Sequence, residues 1–186
     1  ALFAMEARTL NDQRQVRKAS LQMRVDAAAA LANSNGEQWL VWCNLNDESK
    51  ALAVAIDGAV EVSGSDSDDH KRQSAIDFQD GKIRVLVSKP SIFGFGLNFQ
   101  SCHNVAFVGL SHSYEAFYQA IRRCWRFGQQ QPVNAHIIYD VAEGRVIENI
   151  RRKEADSIAM AESMVVIMKQ QTMEQLKKIQ RQVAPH

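Results

Sequence analysis

The stretch that decides the fold is residues 83–109, IRVLVSKPSIFGFGLNFQSCHNVAFVG. It opens and closes on a short, mainly apolar run, at 83–88 and 104–109, of the kind that forms a buried strand. The loop between the runs contains Gly94 and Gly96, which allow positive φ angles and close approach of another backbone or a phosphate. Because ligands of open α/β sheets collect at the carboxyl ends of strands, this loop is the first candidate binding segment.

Strands and helices alternate on both sides of this stretch. Three further strands are predicted at 38–44, 59–62 and 133–139. Helices are predicted at 47–56, at 70–79 and, after a Ser113 cap, from Tyr114 to about Phe127. Strict alternation with short connections predicts an α/β fold, with an open, mostly parallel sheet and helices on both faces.

Long helical segments flank the predicted sheet. Apolar residues recur near helical spacing over 3–33, and the chain is predicted to be helical from Glu143 to near Val183. We therefore divide the chain into an N-terminal helical connector (1–35), an α/β lobe (36–142) and a C-terminal helical extension (143–186). The extension has an apolar stripe formed by Met160, Met164, Ile167, Met168, Met173 and Leu176. We expect this stripe to pack on the chain's own sheet, with a partner helix as the alternative.

Composition excludes several classes of protein. With 46% hydrophobic and 23% charged residues among 186, the chain is neither disordered throughout nor collagen-like. No uninterrupted apolar run approaches the ~20 residues of a membrane helix, and the N-terminus lacks the pattern of a signal peptide. Because the chain does not begin with Met, we expect a fragment or a processed product.

Cysteines and histidines do not form a metal-binding pattern. The cysteines Cys43, Cys102 and Cys124 are far apart, and the five histidines are scattered. We therefore expect no metal site. An odd number of cysteines without a disulfide framework is typical of a reduced, cytoplasmic protein.

The net charge of +1 hides an uneven distribution. Residues 57–80 sum to −5 and residues 81–139 to +5. A surplus of positive charge suggests an anionic partner such as a phosphate or a nucleic acid, while a solvated surface is the simpler explanation.

Three of the basic residues lie within residues 119–129, QAIRRCWRFGQ. On the predicted helix, Arg122 and Arg123 both lie beside Arg126. Three guanidiniums in five positions repel one another unless an anion lies between them, and arginine suits bidentate contact with phosphate. The alternative is a basic solvated helix face with Trp125 and Phe127 packed beneath it.

Neither candidate segment is a nucleotide motif by itself. Gly94 and Gly96 lack the third glycine of the dinucleotide fingerprint, so an unrelated Rossmann-like enzyme is disfavoured. No Gly-Lys-Ser/Thr of a Walker A loop occurs in the chain. On local evidence alone, a tight turn explains the two glycines.

Taken together, the two segments resemble a known family. GFGLN at 94–98, followed about 20 residues later by QAIRRCWRFGQ at 119–129, resembles motifs V and VI of superfamily-2 helicases. The similarity is closest to Swi/Snf-type DNA translocases of a compact bacterial or phage type. The matching residues are Gly94, Gly96, Leu97, Asn98, Gln119, Ala120, Arg123, Arg126, Gly128 and Gln129. The resemblance extends over about residues 20–155.

The resemblance implies one lobe of a two-lobed motor. The family clamps ATP between two RecA-like lobes, and this chain is similar to the second, which has motifs IV to VI and no Walker A loop or Asp-Glu box. It implies an ATP-dependent helicase or translocase in the full-length protein, with ATP and Mg²⁺ bound mainly by the N-terminal lobe. The implied partners are that N-terminal RecA-like lobe and duplex or single-stranded DNA, with no membrane. The chain by itself is expected to lack ATPase activity.

The resemblance also implies roles for single residues. Arg126 would be an arginine finger on the γ-phosphate, and Arg123 a second phosphate-facing arginine or the residue that holds the finger in place. Four residues would lie on the nucleotide side: Gln119, Arg122, Gly96 and Asn98. Four others would lie near the DNA backbone, where contacts are independent of sequence and sensitive to salt: Ser88, Lys89, Ser91 and Gly94.

Two departures from the family pattern leave alternatives open. Pro90, Ile92 and Phe93 stand where the family has a small-Gly-Gly run, so either Ser88 or Ser91 could contact DNA. Arg122 and Trp125 stand where the family often has Asp and His, which adds positive charge and an aromatic ring. The alternative function is a non-catalytic RecA-like module that binds DNA or protein.

Overall fold

The structure is a computed structural model that describes residues 18–93, 97–109, 111, 113–140 and 144–183. The chain divides into two compact units, Ala1–Ile147 and Glu148–His186. Among the described residues, no helix has the length and apolar character needed to cross a membrane.

A five-stranded sheet forms the centre of the first unit. Its strands are β1 (Trp39–Cys43), β2 (Ala59–Val62), β3 (Val85–Ser88), β4 (Asn104–Val108) and β5 (Asn134–Ile138). They lie in the order β2-β3-β1-β4-β5, and every neighbouring pair is parallel. The predicted open, mostly parallel sheet is confirmed, and each strand lies within its predicted range.

The register of the sheet aligns the carboxyl ends of its central strands. Trp42 of β1 is paired with Ser88 of β3 on one side and with Phe107 of β4 on the other. Lys89 therefore leaves the sheet beside Cys43, and its Nζ donates to Asn46 Oδ1 at 2.6 Å. The loops that follow β1, β3 and β4 begin at one edge, where open α/β sheets bind ligands.

Among the described residues of this unit, four helices cover the sheet: α1 (Leu21–Ala32), α2 (Asn46–Ala55), α3 (Asp68–Gln79) and α4 (Tyr114–Ile121). The first two pack on one face, where Val25 and Leu52 join Val41 and Val87 in one buried cluster. A fifth helix, α5 (Gly144–Val183), begins in the first unit and accounts for the described part of the second.

Aromatic rings fill the opposite face of the sheet. Phe78 of α3 meets Phe99 edge to face with ring centroids 5.2 Å apart, and Phe99 meets Phe93 at 5.9 Å. Phe93 in turn lies 6.4 Å from Trp42 of β1. Such contacts add about 0.5–1.5 kcal/mol per pair beyond the area they bury, so this cluster fixes the start and the end of the loop after β3.

A buried ion pair, not predicted from the sequence, supports the turn after β1. Arg24 Nη1 donates to Glu48 Oε1 at 2.6 Å, and both side chains are at most 1% exposed. The other oxygen of Glu48 accepts the N–H groups of Asn44 and Leu45 at 3.0 and 2.9 Å, which caps α2. Gly109 adopts φ +72° beside the pair, where a Cβ atom would lie 3.0 Å from Arg24 Nη1.

Candidate functional site

A groove in the first unit collects five of the ten predicted site residues. Its volume is about 370 Å³, and the loop after β3 forms one wall while α4 and the turn after it form the other. We call it the arginine groove; its polar lining is Ser91, Ser113, Glu115, Gln119, Arg122, Arg123 and Arg126. Three cationic side chains and one acidic side chain face it, so the groove has a surplus of positive charge.

The helix that carries Gln119 begins where the sequence predicts. The hydroxyl of Ser113 accepts the N–H of Ala116 at 3.1 Å, as an N-cap does. Glu115 lies in the first turn, where a negative charge stabilises the helix dipole. Glu115 was not predicted from the sequence as a lining residue, although its position four residues before Gln119 places both on one side of the helix.

The end of α4 differs from the prediction. The helix ends at Ile121 rather than near Phe127, so the three arginines lie in the turns that follow it and do not share a helix face. The reason is competition for carbonyl groups. The Arg123 carbonyl accepts the N–H of Phe99 at 2.8 Å, and the Cys124 carbonyl accepts from Gln129 Nε2 at 3.3 Å. One donor from the loop after β3 and one from the turn after α4 thus replace the helical bonds that would continue α4.

Arg123 is held by the fold. Its guanidinium donates to the carbonyl of Phe93 and lies 5.9 Å from the ring centroid of Trp42. Burial, with the neighbouring Arg126 guanidinium as a smaller cause, lowers the pKa of Arg123. This side chain therefore joins the turn after α4 to the loop after β3.

Arg122 and Arg126 are exposed side chains of the groove. The guanidinium of Arg122 lies over the ring of Trp125, 5.3 Å from its centroid. Trp125 is 52% exposed and Phe127 is fully exposed, so neither ring is buried beneath a helix face as the alternative interpretation required.

The predicted nucleic-acid residues fall into two groups. Ser91 is exposed and lines the arginine groove, and Lys89 lies at the surface beside Asn46. Ser88 is fully buried, and its hydroxyl donates to the carbonyl of Val62 at 2.7 Å. Of the two serines that the sequence left open, Ser91 is therefore the accessible one. Gly94 lies outside the described residues.

Asn98 lines a different groove. It shares a polar groove of about 440 Å³ with Gln79, Gln100 and Gln129, none of which lines the arginine groove. The carbonyl of Asn98 accepts from Gln79 Nε2 at 2.5 Å, and its side-chain oxygen accepts the N–H of Gln100 at 3.2 Å. The structure thus separates Asn98 from Gln119 and the arginines, and Gly96 lies outside the described residues.

Potential metal ligands and thiols give no second site. Within the described ranges, no three His, Cys, Asp or Glu side chains are grouped so that they could hold a metal ion. The cysteines Cys43, Cys102 and Cys124 are buried free thiols. Burial raises the pKa of Cys43 to about 12, so this thiol is not a nucleophile near neutral pH.

Comparison with known proteins identifies the family and the fold of the chain. A family model described as the helicase conserved C-terminal domain matches residues 22–128. Among solved structures, the C-terminal part of the Fun30 ATPase domain is similar with a TM-score of 0.60 and 20% identity over 68% of this chain. The C-terminal domain of the DEAD-box protein Dbp5 is similar with a TM-score of 0.62 and 14% identity over 73% of this chain.

These likenesses show the fold, which is the RecA-like fold of helicase C-terminal lobes. The chain covers 80% of the Dbp5 domain but 44% of the Fun30 chain, so it spans less than half the length of that structure. No curated protein matches the chain.

Proposed function

This chain belongs to the helicase conserved C-terminal domain family, and on that premise we propose that it is the second motor lobe of an ATP-dependent DNA translocase of the Swi/Snf type. The observation that carries the proposal is the arginine groove, in which the exposed Arg126 and Arg122 face a space beside Gln119 and Ser91. Such a groove suits the phosphates of ATP once an N-terminal lobe closes over them.

Arg126 is the residue we assign as the arginine finger. A guanidinium at the γ-phosphate stabilises the charge that spreads over the transferring phosphoryl group, which contributes roughly 10³–10⁵ in rate. Arg123 is better suited to positioning, since its guanidinium contacts the Phe93 carbonyl and the Trp42 ring. Its role is to hold the turn that presents Arg126.

The described residues do not provide a site for Mg²⁺, because no group of carboxylates or other ligands converges on the arginine groove. We assign Mg²⁺ and most of the ATP contacts to the N-terminal lobe. The 186 residues also contain no Walker A sequence, and therefore we expect the chain alone to have no ATPase activity.

The loop after β3 is our candidate for the DNA track. Lys89 and the exposed Ser91 follow a buried strand, and the Ser91 side of this loop also lines the arginine groove. Side chains of these types hold phosphate oxygens without reading sequence. Arg123 spans from this loop to the turn that carries Arg126, so one side chain connects the two candidate surfaces.

The test is ATP hydrolysis by the two-lobed protein. We expect this chain alone to be inactive and the protein with its N-terminal lobe to hydrolyse ATP faster when duplex or single-stranded DNA is added. Stimulation by RNA and not by DNA would contradict the assignment to DNA translocases. A folded two-lobed protein that hydrolyses no ATP with either nucleic acid would contradict the motor function altogether.

One observation favours a second candidate, a non-catalytic interaction module. In the second unit, Met160, Met164, Ile167 and Met168 recur at helical spacing and are 51–67% exposed. Exposed methionine-rich faces are suited to partner helices. A lobe with a Walker A loop, encoded upstream in the same reading frame, would support the motor function. The absence of such a lobe would support the non-catalytic interaction module.

A further inference from the structure

One of the three tryptophans is exposed to solvent, unlike the other two. Trp39 and Trp42 are 2% and 1% exposed, whereas Trp125 is 52% exposed. Its ring is paired with the guanidinium of Arg122, whose carbon lies 5.3 Å from the ring centroid. Since Arg122 also lines the arginine groove, an accessible aromatic platform stands directly beside a cationic groove.

We propose that Trp125 is the platform on which the base of a nucleoside triphosphate stacks while its phosphates occupy the arginine groove. This inference rests on the proposed function and extends it to the base. An exposed tryptophan ring is a strong stacking surface, and the cation over it adds to the attraction. Every base has a π face, so the platform is expected to accept any purine nucleotide.

The charge distribution favours a nucleotide over a nucleic-acid strand. Arg122, Arg123 and Arg126 line a single groove of about 370 Å³ in which Glu115 is the one acidic side chain among the described lining residues. Three cationic groups in so small a space suit phosphates that are joined directly to one another, as they are in a triphosphate. Arg122 belongs to both the platform and the groove, so one small ligand can reach both.

The intrinsic fluorescence of this chain provides the test, because the other tryptophans are buried. The probes are ATP, GTP, inorganic tripolyphosphate and oligothymidylate. We expect ATP and GTP to quench the emission of Trp125 to saturation, tripolyphosphate to bind without quenching, and Trp125→Phe to abolish the quenching.

Trp125→Ala should weaken ATP binding on the order of tenfold in calorimetry and leave tripolyphosphate binding unchanged. Phe127→Ala, at an exposed ring that does not line the groove, is the matched control and should bind ATP normally.

Each other result has a defined meaning. Equal affinity of ATP for the unaltered chain and for Trp125→Ala, with tripolyphosphate still bound, overturns the platform and leaves the proposed function standing. Failure of both ATP and tripolyphosphate to bind the unaltered chain overturns the platform and leaves the proposed function standing, because that function assigns most of the ATP contacts to the N-terminal lobe. Quenching by oligothymidylate and not by ATP assigns the ring to nucleic acid and also overturns the proposal.

Discussion

At the scale of the residue, the arginines of the groove differ in what surrounds them. Arg123 is half-buried and bound to the Phe93 carbonyl, whereas Arg126 and Arg122 are exposed. The sequence placed Arg123 and Arg126 in the same motif and left open whether Arg123 contacts phosphate or holds the finger. The contact that favours holding comes from a carbonyl 30 residues away, which no local pattern indicates.

Replacing Arg123 should therefore affect stability. Arg123→Ala removes the donor to the Phe93 carbonyl and the packing on Trp42, and we expect a loss of about 1–3 kcal/mol in the free energy of unfolding. Arg122→Ala, at an exposed neighbour, should change it by less than about 0.5 kcal/mol. Urea unfolding of the two variants measures the difference, and equal effects would contradict the positioning role.

The buried thiol of Cys43 predicts a dependence of stability on alkaline pH. Burial raises its pKa from 9.0 to about 12, so above pH 9.0 the thiol ionises in the unfolded chain before it does in the native one. The contribution of the neutral Cys43 thiol to the free energy of unfolding is complete below pH 9.0. The free energy of unfolding should then decline by about 1.4 kcal/mol per pH unit up to about pH 12.

Urea unfolding at a series of alkaline pH values measures this decline. Cys43→Ala should make it shallower, because the variant has no thiol at this position. A variant with the same slope as the unaltered chain would show that another group causes the decline.

At the scale of the element, the strands were predictable and the end of α4 was not. The strands are short apolar runs, so their own residue types indicate that they are buried. The end of α4 depends on Phe99 and Gln129, which supply donors to carbonyls that a longer helix would use. The capping by Ser113 follows a local rule, while the division of Asn98 and the arginines between two grooves depends on tertiary contacts.

The side chain of Gln129 supports the turn that follows α4. Its Nε2 lies within 3.0–3.3 Å of the carbonyl oxygens of Gln100, Cys102 and Cys124. Gln129→Glu replaces that donor with a carboxylate facing three carbonyls, and we expect a loss of about 1–3 kcal/mol in thermal or urea unfolding. Gln130→Glu, at the exposed next residue, adds the same charge and should cost less than about 0.5 kcal/mol. Similar losses in both variants would show that the charge, and not the lost donor, is responsible.

At the scale of the whole molecule, the chain has the RecA-like fold of a helicase C-terminal lobe. Its RecA-like unit has cationic side chains at the arginine groove, and the 186 residues contain no Walker A sequence. The chain covers less than half of the Fun30 chain. The fold class and the motif order could be read from the sequence because strand alternation and short motifs are local. The boundaries predicted at 35/36 and 142/143 remain predictions, as do the assignments to ATP, DNA and the N-terminal lobe.

The most direct test of the central claim is the turnover of the two-lobed protein with Arg126→Ala. We expect DNA-stimulated ATP hydrolysis to fall by roughly 10³-fold or more, with ATP still bound and the fold unchanged. The matched control is Arg72→Ala, at an exposed arginine of α3 paired with Asp69 and outside the groove, which should leave turnover unchanged. Turnover of Arg126→Ala equal to that of the unaltered protein would contradict the assignment of this groove to the ATP cleft.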